Sequence, residues 1–174
     1  TGAVREDERE KRRALCRRKL DPDRQMPFIP HLCIEECAKA MEWYKEAFGA
    51  TEVRRIPAED GKRLMFAEME VFGGPIYLND EFPEFCPSPH RIKSPSTSGS
   101  NSTTVTMHLG EREDVDEIVE RARQAGATVV VEPHDAFWGE RYAMLVDPHG
   151  HAWSFAGECK GETAAKPASS EASQ

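Results

Sequence analysis

Two histidines followed by the same residue, His31-Leu32 and His108-Leu109, recur 77 positions apart. Each lies in a stretch that reads as a short strand, so the pair can line one cleft from two equivalent places. Imidazole ligates Zn, Ni, Mn or Fe and carries protons near neutral pH. The plainer alternative is a pair of hydrogen-bonded pocket histidines, and a metal-free cleft is the preferred reading. A second constellation is Phe137, Trp138 and Arg141, where two aromatic rings precede a guanidinium. It reads either as a clamp for an anionic aromatic ligand or as a structural aromatic pair beside a surface arginine. Trp153 is more readily a core residue than a ligand contact. His149 and His151 flank a turn glycine and read as exposed polar residues, with no third partner for a metal nearby. Glu68 and Glu70 alternate with Met65, Ala67, Met69 and Val71, which suggests a solvated strand face rather than an acid–base pair. No nucleophile elbow and no phosphate-binding glycine loop is present.

The elements that would carry these residues come in two copies. Gly49-Ala50-Thr51 returns as Gly126-Ala127-Thr128, Met41 matches Ile118 and Gly73 matches Gly150, all in the register of the two histidines. Gly61-Lys62-Arg63 returns as Gly139-Glu140-Arg141 one position further on. Matches spread over a whole block point to duplication. The first block predicts a strand near Phe28 to Ile34 and a helix near Glu36 to Phe48, its apolar residues at helical spacing and Gly49 closing its end. Strands follow near Thr51 to Ile56, Leu64 to Phe72 and Pro75 to Asn79. The second block repeats this: a strand near Thr104 to Leu109, a helix near Asp114 to Ala125, then strands near Thr128 to Glu132, Arg141 to Val146 and Ala152 to Ala156. Asp147-Pro148-His149-Gly150 has turn chemistry and joins the last two as a hairpin. The fold class is α+β: two βαβββ repeats forming a curled mixed sheet, each with one face under its helix and the other open toward a cleft.

Five motifs carry a resemblance to a known family. They are Ala40-Met41-Glu42-Trp43-Tyr44-Lys45-Glu46-Ala47-Phe48-Gly49-Ala50, Asn79-Asp80-Glu81-Phe82-Pro83-Glu84, Gln124-Ala125-Gly126-Ala127, Phe137-Trp138-Gly139-Glu140-Arg141-Tyr142, and Asp147-Pro148-His149-Gly150-His151-Ala152-Trp153. Together they resemble the glyoxalase / bleomycin-resistance / extradiol-dioxygenase group, the vicinal oxygen chelate superfamily, and lean toward its small glyoxalase-like branch. The resemblance spans about residues 27 to 157. It implies a homodimer and, in metal-dependent members, two histidines with one or two glutamates on the first and last strands of each repeat. Those last-strand positions carry Tyr77 and Ser154 here. Aligned through the helix motifs, Ile29 and Thr106 occupy the first-strand ligand positions, and the histidines stand two residues further on, still on the inward face. The candidate ligand-binding set is His31, Tyr77, Asn79, His108, Phe137, Trp138, Arg141, Trp153 and Ser154, with His31 and His108 as the metal candidates. Two functions follow from the resemblance: a protein that binds a small aromatic or amphipathic molecule without a cofactor, or a metal-dependent lyase, isomerase or dioxygenase using Zn, Ni, Mn or Fe.

Composition bounds the rest. A net charge of −8 argues against nucleic acid or an anionic membrane as the partner. Five cysteines in no CxxC pair fit reduced thiols and a cytoplasmic protein. Residues 1–26 read as a charged arm or helix, residues 27–157 as the repeats (about 27–81 and 103–157), residues 82–102 as a linker or lid, and residues 158–174 as a disordered tail.

Overall fold

The computed structural model describes residues 28–85, 91–110 and 114–159. The arm expected over 1–26 and the tail from 160 onward lie outside the described residues. The first repeat runs β1 (His31–Cys33), α1 (Cys37–Phe48), β2 (Thr51–Pro57), β3 (Leu64–Val71) and β4 (Gly74–Asn79). After α2 (Pro95–Ser98), the second runs β5 (Thr104–His108), α3 (Val115–Gln124), β6 (Thr128–Asp135), β7 (Arg141–Val146) and β8 (Ala152–Gly157). β6 extends three residues past its expected end, through register shifts between Val129 and Val131 and between Val131 and His134.

Local chemistry sets the helix ends. Gly49 closes α1 in the left-handed region at φ 67° and donates to Lys45 O at 3.1 Å. At the other end Asp80 accepts from Cys37 N at 3.0 Å and from Leu64 N at 2.7 Å, so one buried carboxylate caps the helix and holds the start of β3. Asp114 caps α3 by accepting from Asp116 N and Glu117 N. Asp116 and Glu117 in the first turn and Arg121 and Arg123 in the last complement the helix dipole.

Each repeat makes its own four-stranded sheet, ordered β1-β4-β3-β2 and β5-β8-β7-β6, and among the described residues no ladder joins the two. In both, the first strand runs parallel to the last, with His31 opposite Tyr77 and Thr106 opposite Ser154. The helix-covered faces merge into one core. Tyr44 and Phe48 of α1 meet Trp153 of β8 at 5.4 and 5.1 Å between ring centroids, and Phe48 meets Phe155 at 5.6 Å. Trp43 Nε1 donates to Ala125 O at 2.7 Å and Arg121 Nε to Ala47 O at 2.6 Å, tying each helix to the other repeat. Strand side chains alternate, so the two faces without helices look away from this shared core. The curled sheet is thus realised as two four-stranded halves.

Part of the segment expected as a linker or lid is docked. Ser94 is buried, donates its N–H to Glu81 Oε1 at 2.7 Å and caps α2 by accepting from Thr97 N. Pro95 lies so close to Gly150 that a Cβ there would come within 2.8 Å of the Pro95 Cβ. Gly150 also sits at φ 88°, which makes glycine the residue that this contact between strap and hairpin requires.

Candidate functional site

The open face of the first sheet is built on alternate residues of β1, β4, β3 and β2. His31 stands edge-on to Phe66 and Tyr77, at 6.1 and 5.8 Å between centroids, and Phe66 meets Tyr77 at 4.8 Å. The Arg54 guanidinium lies 4.9 Å over Phe66 while its Nε donates to Glu68 Oε2 at 3.0 Å. Glu68 is buried, so the expected solvated strand face instead holds a part-buried ion pair beside three rings. Partial burial lowers the His31 pKa below the ordinary histidine value, and a hydrogen bond with Asn79 opposes it. The ring is therefore neutral near pH 7, able to donate from one nitrogen and accept at the other.

The open face of the second sheet differs. Thr106 and Ser154 share a hydroxyl hydrogen bond of 2.8 Å at the position that His31 and Tyr77 hold in the first repeat. Tyr142, His134 and Trp138 form an aromatic row, with centroids 6.1 and 5.4 Å from Tyr142. His108, at the end of β5, stands 3.6 Å from Glu140, and Trp138 Nε1 donates to Glu140 Oε2 at 3.0 Å.

Of the candidate set, His31, Tyr77 and Asn79 come together on the first open face. His108, Ser154 and Trp138 lie on or beside the second, with Phe137 packed edge-on against Trp138 at 4.9 Å. Arg141 and Trp153 are elsewhere. Arg141 is turned to the helix side, where Nε and one terminal nitrogen donate to the two oxygens of Asp116 at 2.9 and 2.7 Å. Trp153 is fully buried in the core, its Nε1 donating to Asp147 Oδ2 at 2.9 Å. Both belong to the strand side opposite the open face, because the alternation puts Arg141 with Ala143 and Trp153 with Phe155. His151, read as an exposed turn residue, is buried and donates from Nε2 to Cys33 O at 3.2 Å. Arg54 and Phe66 complete this face: Phe66 shares the strand parity of Glu68, a signal in the sequence, whereas Arg54 reaches it only through the pairing of β2 with β3.

Residues 29–155 match the Glyoxalase/Bleomycin resistance protein/Dioxygenase superfamily. This chain belongs to that superfamily. It is 42% identical over 125 residues to uncharacterized protein Rv0887c of Mycobacterium tuberculosis, covering 72% of this chain and 70% of that one. In structure it is similar to TioX from Micromonospora sp. ML1, at 25% identity and TM-score 0.56, over 78% of this chain and 98% of that one. A glyoxalase/bleomycin resistance protein/dioxygenase family enzyme from Burkholderia phytofirmans PsJN shares the fold, at 19% identity and TM-score 0.54, over 74% and 95% of the two chains.

The metal that such superfamily members hold is a poor match to the donors here. Among the described residues no three His, Cys, Asp or Glu side chains converge on one point. His31 has rings on two sides, and the nearest carboxylate on its face, Glu68, is engaged by Arg54. The Thr106–Ser154 pair offers neutral hydroxyls, weak ligands for a divalent ion.

Proposed function

We propose that this superfamily member binds a small aromatic or amphipathic molecule, without a metal cofactor, in a cleft completed by a second copy of the chain. The first-repeat open face of one copy would stand opposite the second-repeat open face of the other. The observation that carries this reading is the His31–Phe66–Tyr77 ring cluster with its Arg54–Glu68 pair, set on a sheet face that no helix among the described residues covers. Edge-on rings offer faces and edges to a planar ligand. The guanidinium–carboxylate pair orients a polar substituent, and the Thr106–Ser154 hydroxyls of the opposite face can donate or accept.

Dimerisation supplies what one chain lacks. β1 and β5 end their sheets, and an unpaired strand edge is satisfied by another strand. A twofold pairing would form two equivalent clefts at once. The reading places the protein in a reducing cytoplasm, which is supported by Cys33, Cys37 and Cys159 standing as thiols and not disulfides.

The test uses 1-anilinonaphthalene-8-sulfonate as an aromatic probe, titrated against the native protein by fluorescence. Saturable binding is expected, and Phe66→Ala and Tyr77→Ala should each weaken it by about tenfold with circular dichroism unchanged. Equal affinity in both variants would overturn the assignment of the cleft.

A further inference from the structure

One cavity lies apart from both open faces. It sits between the start of α1, the turn before β3, the stretch that follows β4 and the docked strap of residues 91–98. Its volume of about 460 Å³ is in the range that holds small molecules. None of the rings on the open faces lines it, so it is separate from the cleft proposed above. At its edge Glu36 holds φ 59°, a left-handed backbone that is uncommon for a residue with a Cβ and is concentrated at functional sites.

Four basic and four acidic side chains line this cavity, so its walls are balanced in charge. Most of them are engaged within the chain. Lys39 pairs with Glu36 at 2.5 Å and Arg91 with Glu81 at 3.2 Å. Arg63 pairs with Asp60 at 2.6 Å and with Glu84 at 2.8 Å. Asp80 accepts from the N–H groups of Cys37 and Leu64, so the end of α1 is already capped and offers no anion site of its own. Two charges remain, and they stand on different walls. Among the described residues the Lys62 ammonium has no partner, and Glu35 has no ion pair, accepting only from the Ser96 hydroxyl at 3.1 Å. Both side chains are exposed and exchange water for a ligand without breaking an existing ion pair.

We infer that this cavity binds a small zwitterion, an amino-acid-like molecule whose carboxylate meets Lys62 and whose ammonium meets Glu35. An ion of one sign is attracted by one of these residues and opposed by the other, whereas a molecule carrying both signs satisfies both. Ala38 and Pro83 add an apolar stretch of wall that suits a short hydrocarbon between the two charged ends. The strap responds to occupancy because it shares these groups. Ser96 donates to the same Glu35 carboxylate, Thr97 lines the cavity, and Ser94 N–H is held by Glu81 Oε1 at 2.7 Å beside Arg91. A ligand seated between the body and the strap therefore slows local opening of the strap.

The test uses glycine, β-alanine and 4-aminobutyrate, which hold the two charges at increasing separation, with butyrate and butylamine as single-charge matches of the longest. The readout on the full chain is hydrogen exchange over residues 91–98, followed by mass spectrometry. At least one of the three zwitterions should slow exchange there saturably, and butyrate and butylamine should not at equal concentration and ionic strength. Lys62→Gln and Glu35→Gln should each raise the half-saturating concentration by about tenfold, the loss of one charge-assisted hydrogen bond. Glutamine at position 35 keeps an acceptor for Ser96, so the strap stays docked in that variant. Affinity for 1-anilinonaphthalene-8-sulfonate should hold in both variants, so this site and the cleft fail separately. No saturable slowing by any of the three, equal slowing by butyrate or butylamine, or an unchanged half-saturation in either variant overturns the inference. The comparison of charge types needs only the wild-type chain, so it decides even where a variant folds poorly.

Discussion

Tyr44 Oη donates to Asp147 Oδ2 at 2.7 Å, joining the helix of the first repeat to the last hairpin of the second. The same oxygen accepts from Trp153 Nε1 at 2.9 Å, and Oδ1 accepts from the backbone N–H groups of His149 and His151, each at 2.9 Å. One buried carboxylate thus satisfies four donors from both halves of the molecule. Burial and the neighbouring Asp147 charge push the Tyr44 hydroxyl well above its usual pKa, so it remains a donor at any physiological pH. Aromatic packing brings the repeats together; this knot fixes their relative placement, because a misplaced repeat would strand a charge in the core.

Tyr44→Phe should therefore destabilise the fold by about 1–3 kcal/mol in urea unfolding, the range for leaving a buried acceptor one donor short. Asp147→Ala should cost more, since it orphans donors from Tyr44 and Trp153 together. Neither residue reaches an open face, so 1-anilinonaphthalene-8-sulfonate affinity should hold in Tyr44→Phe. A change in urea midpoint too small to resolve would show that the knot does not contribute to holding the repeats together.

Arg141 separates two roles that its sequence neighbourhood left open. Its paired contacts with Asp116 tie β7 to the first turn of α3, and a third N–H reaches Asp135 at 3.2 Å. Lysine cannot reproduce a bidentate fork. Arg141→Lys should lower stability by about 1 kcal/mol and leave probe affinity unchanged. A variant of normal stability with weakened probe binding would return Arg141 to the cleft.

Much of the fold could be read from the sequence because both levels of pattern agree. The Gly49 and Gly126 repeats mark helix ends, and alternation in Leu64–Val71 marks a strand, so the βαβββ order and most element limits follow. What could not be read was which side of a strand each residue serves in the assembled molecule. Trp153 and Ser154 are neighbours in sequence, yet one lies in the core and the other on the open face. Glu68 looked solvated because its partner, Arg54, lies on a different strand. His151 looked like a turn residue because its acceptor, Cys33 O, lies in the other repeat. Each of these is a long-range contact that local periodicity does not encode.

Acidification should weaken the fold through His151. Burial holds its pKa below the ordinary histidine value despite the neighbouring Asp147 charge and the Cys33 carbonyl, and His149 adds to the lowering. The native protein then resists a proton that the unfolded chain accepts, so stability is full above the unfolded pKa of about 6.5 and falls as pH drops below it. His31 shifts in the same direction. The urea midpoint should decrease from about pH 7.5 to about pH 5.5, and His151→Gln should flatten that dependence. An equally steep decrease in His151→Gln would assign the effect to other groups.

The donor chemistry of the two open faces leads to a prediction about metal. A Zn, Ni, Mn or Fe site needs several N, O or S donors converging within about 2.0–2.3 Å of one point. His31 and His108 stand on different sheets of the chain, and in a composite cleft each would bring one imidazole to a face otherwise offering Tyr77, Asn79 and neutral hydroxyls. The Glu68 carboxylate could join only by giving up Arg54, leaving a guanidinium beside a divalent cation. Protein purified without chelator or affinity metal should accordingly carry far less than one equivalent by plasma mass spectrometry. Soaking with each ion followed by desalting should leave that unchanged, and His31→Ala/His108→Ala should match wild type. Near-stoichiometric metal that disappears in the double variant would mean that the faces rearrange to share the two histidines, and would redirect the protein to the metal-dependent branch of its superfamily.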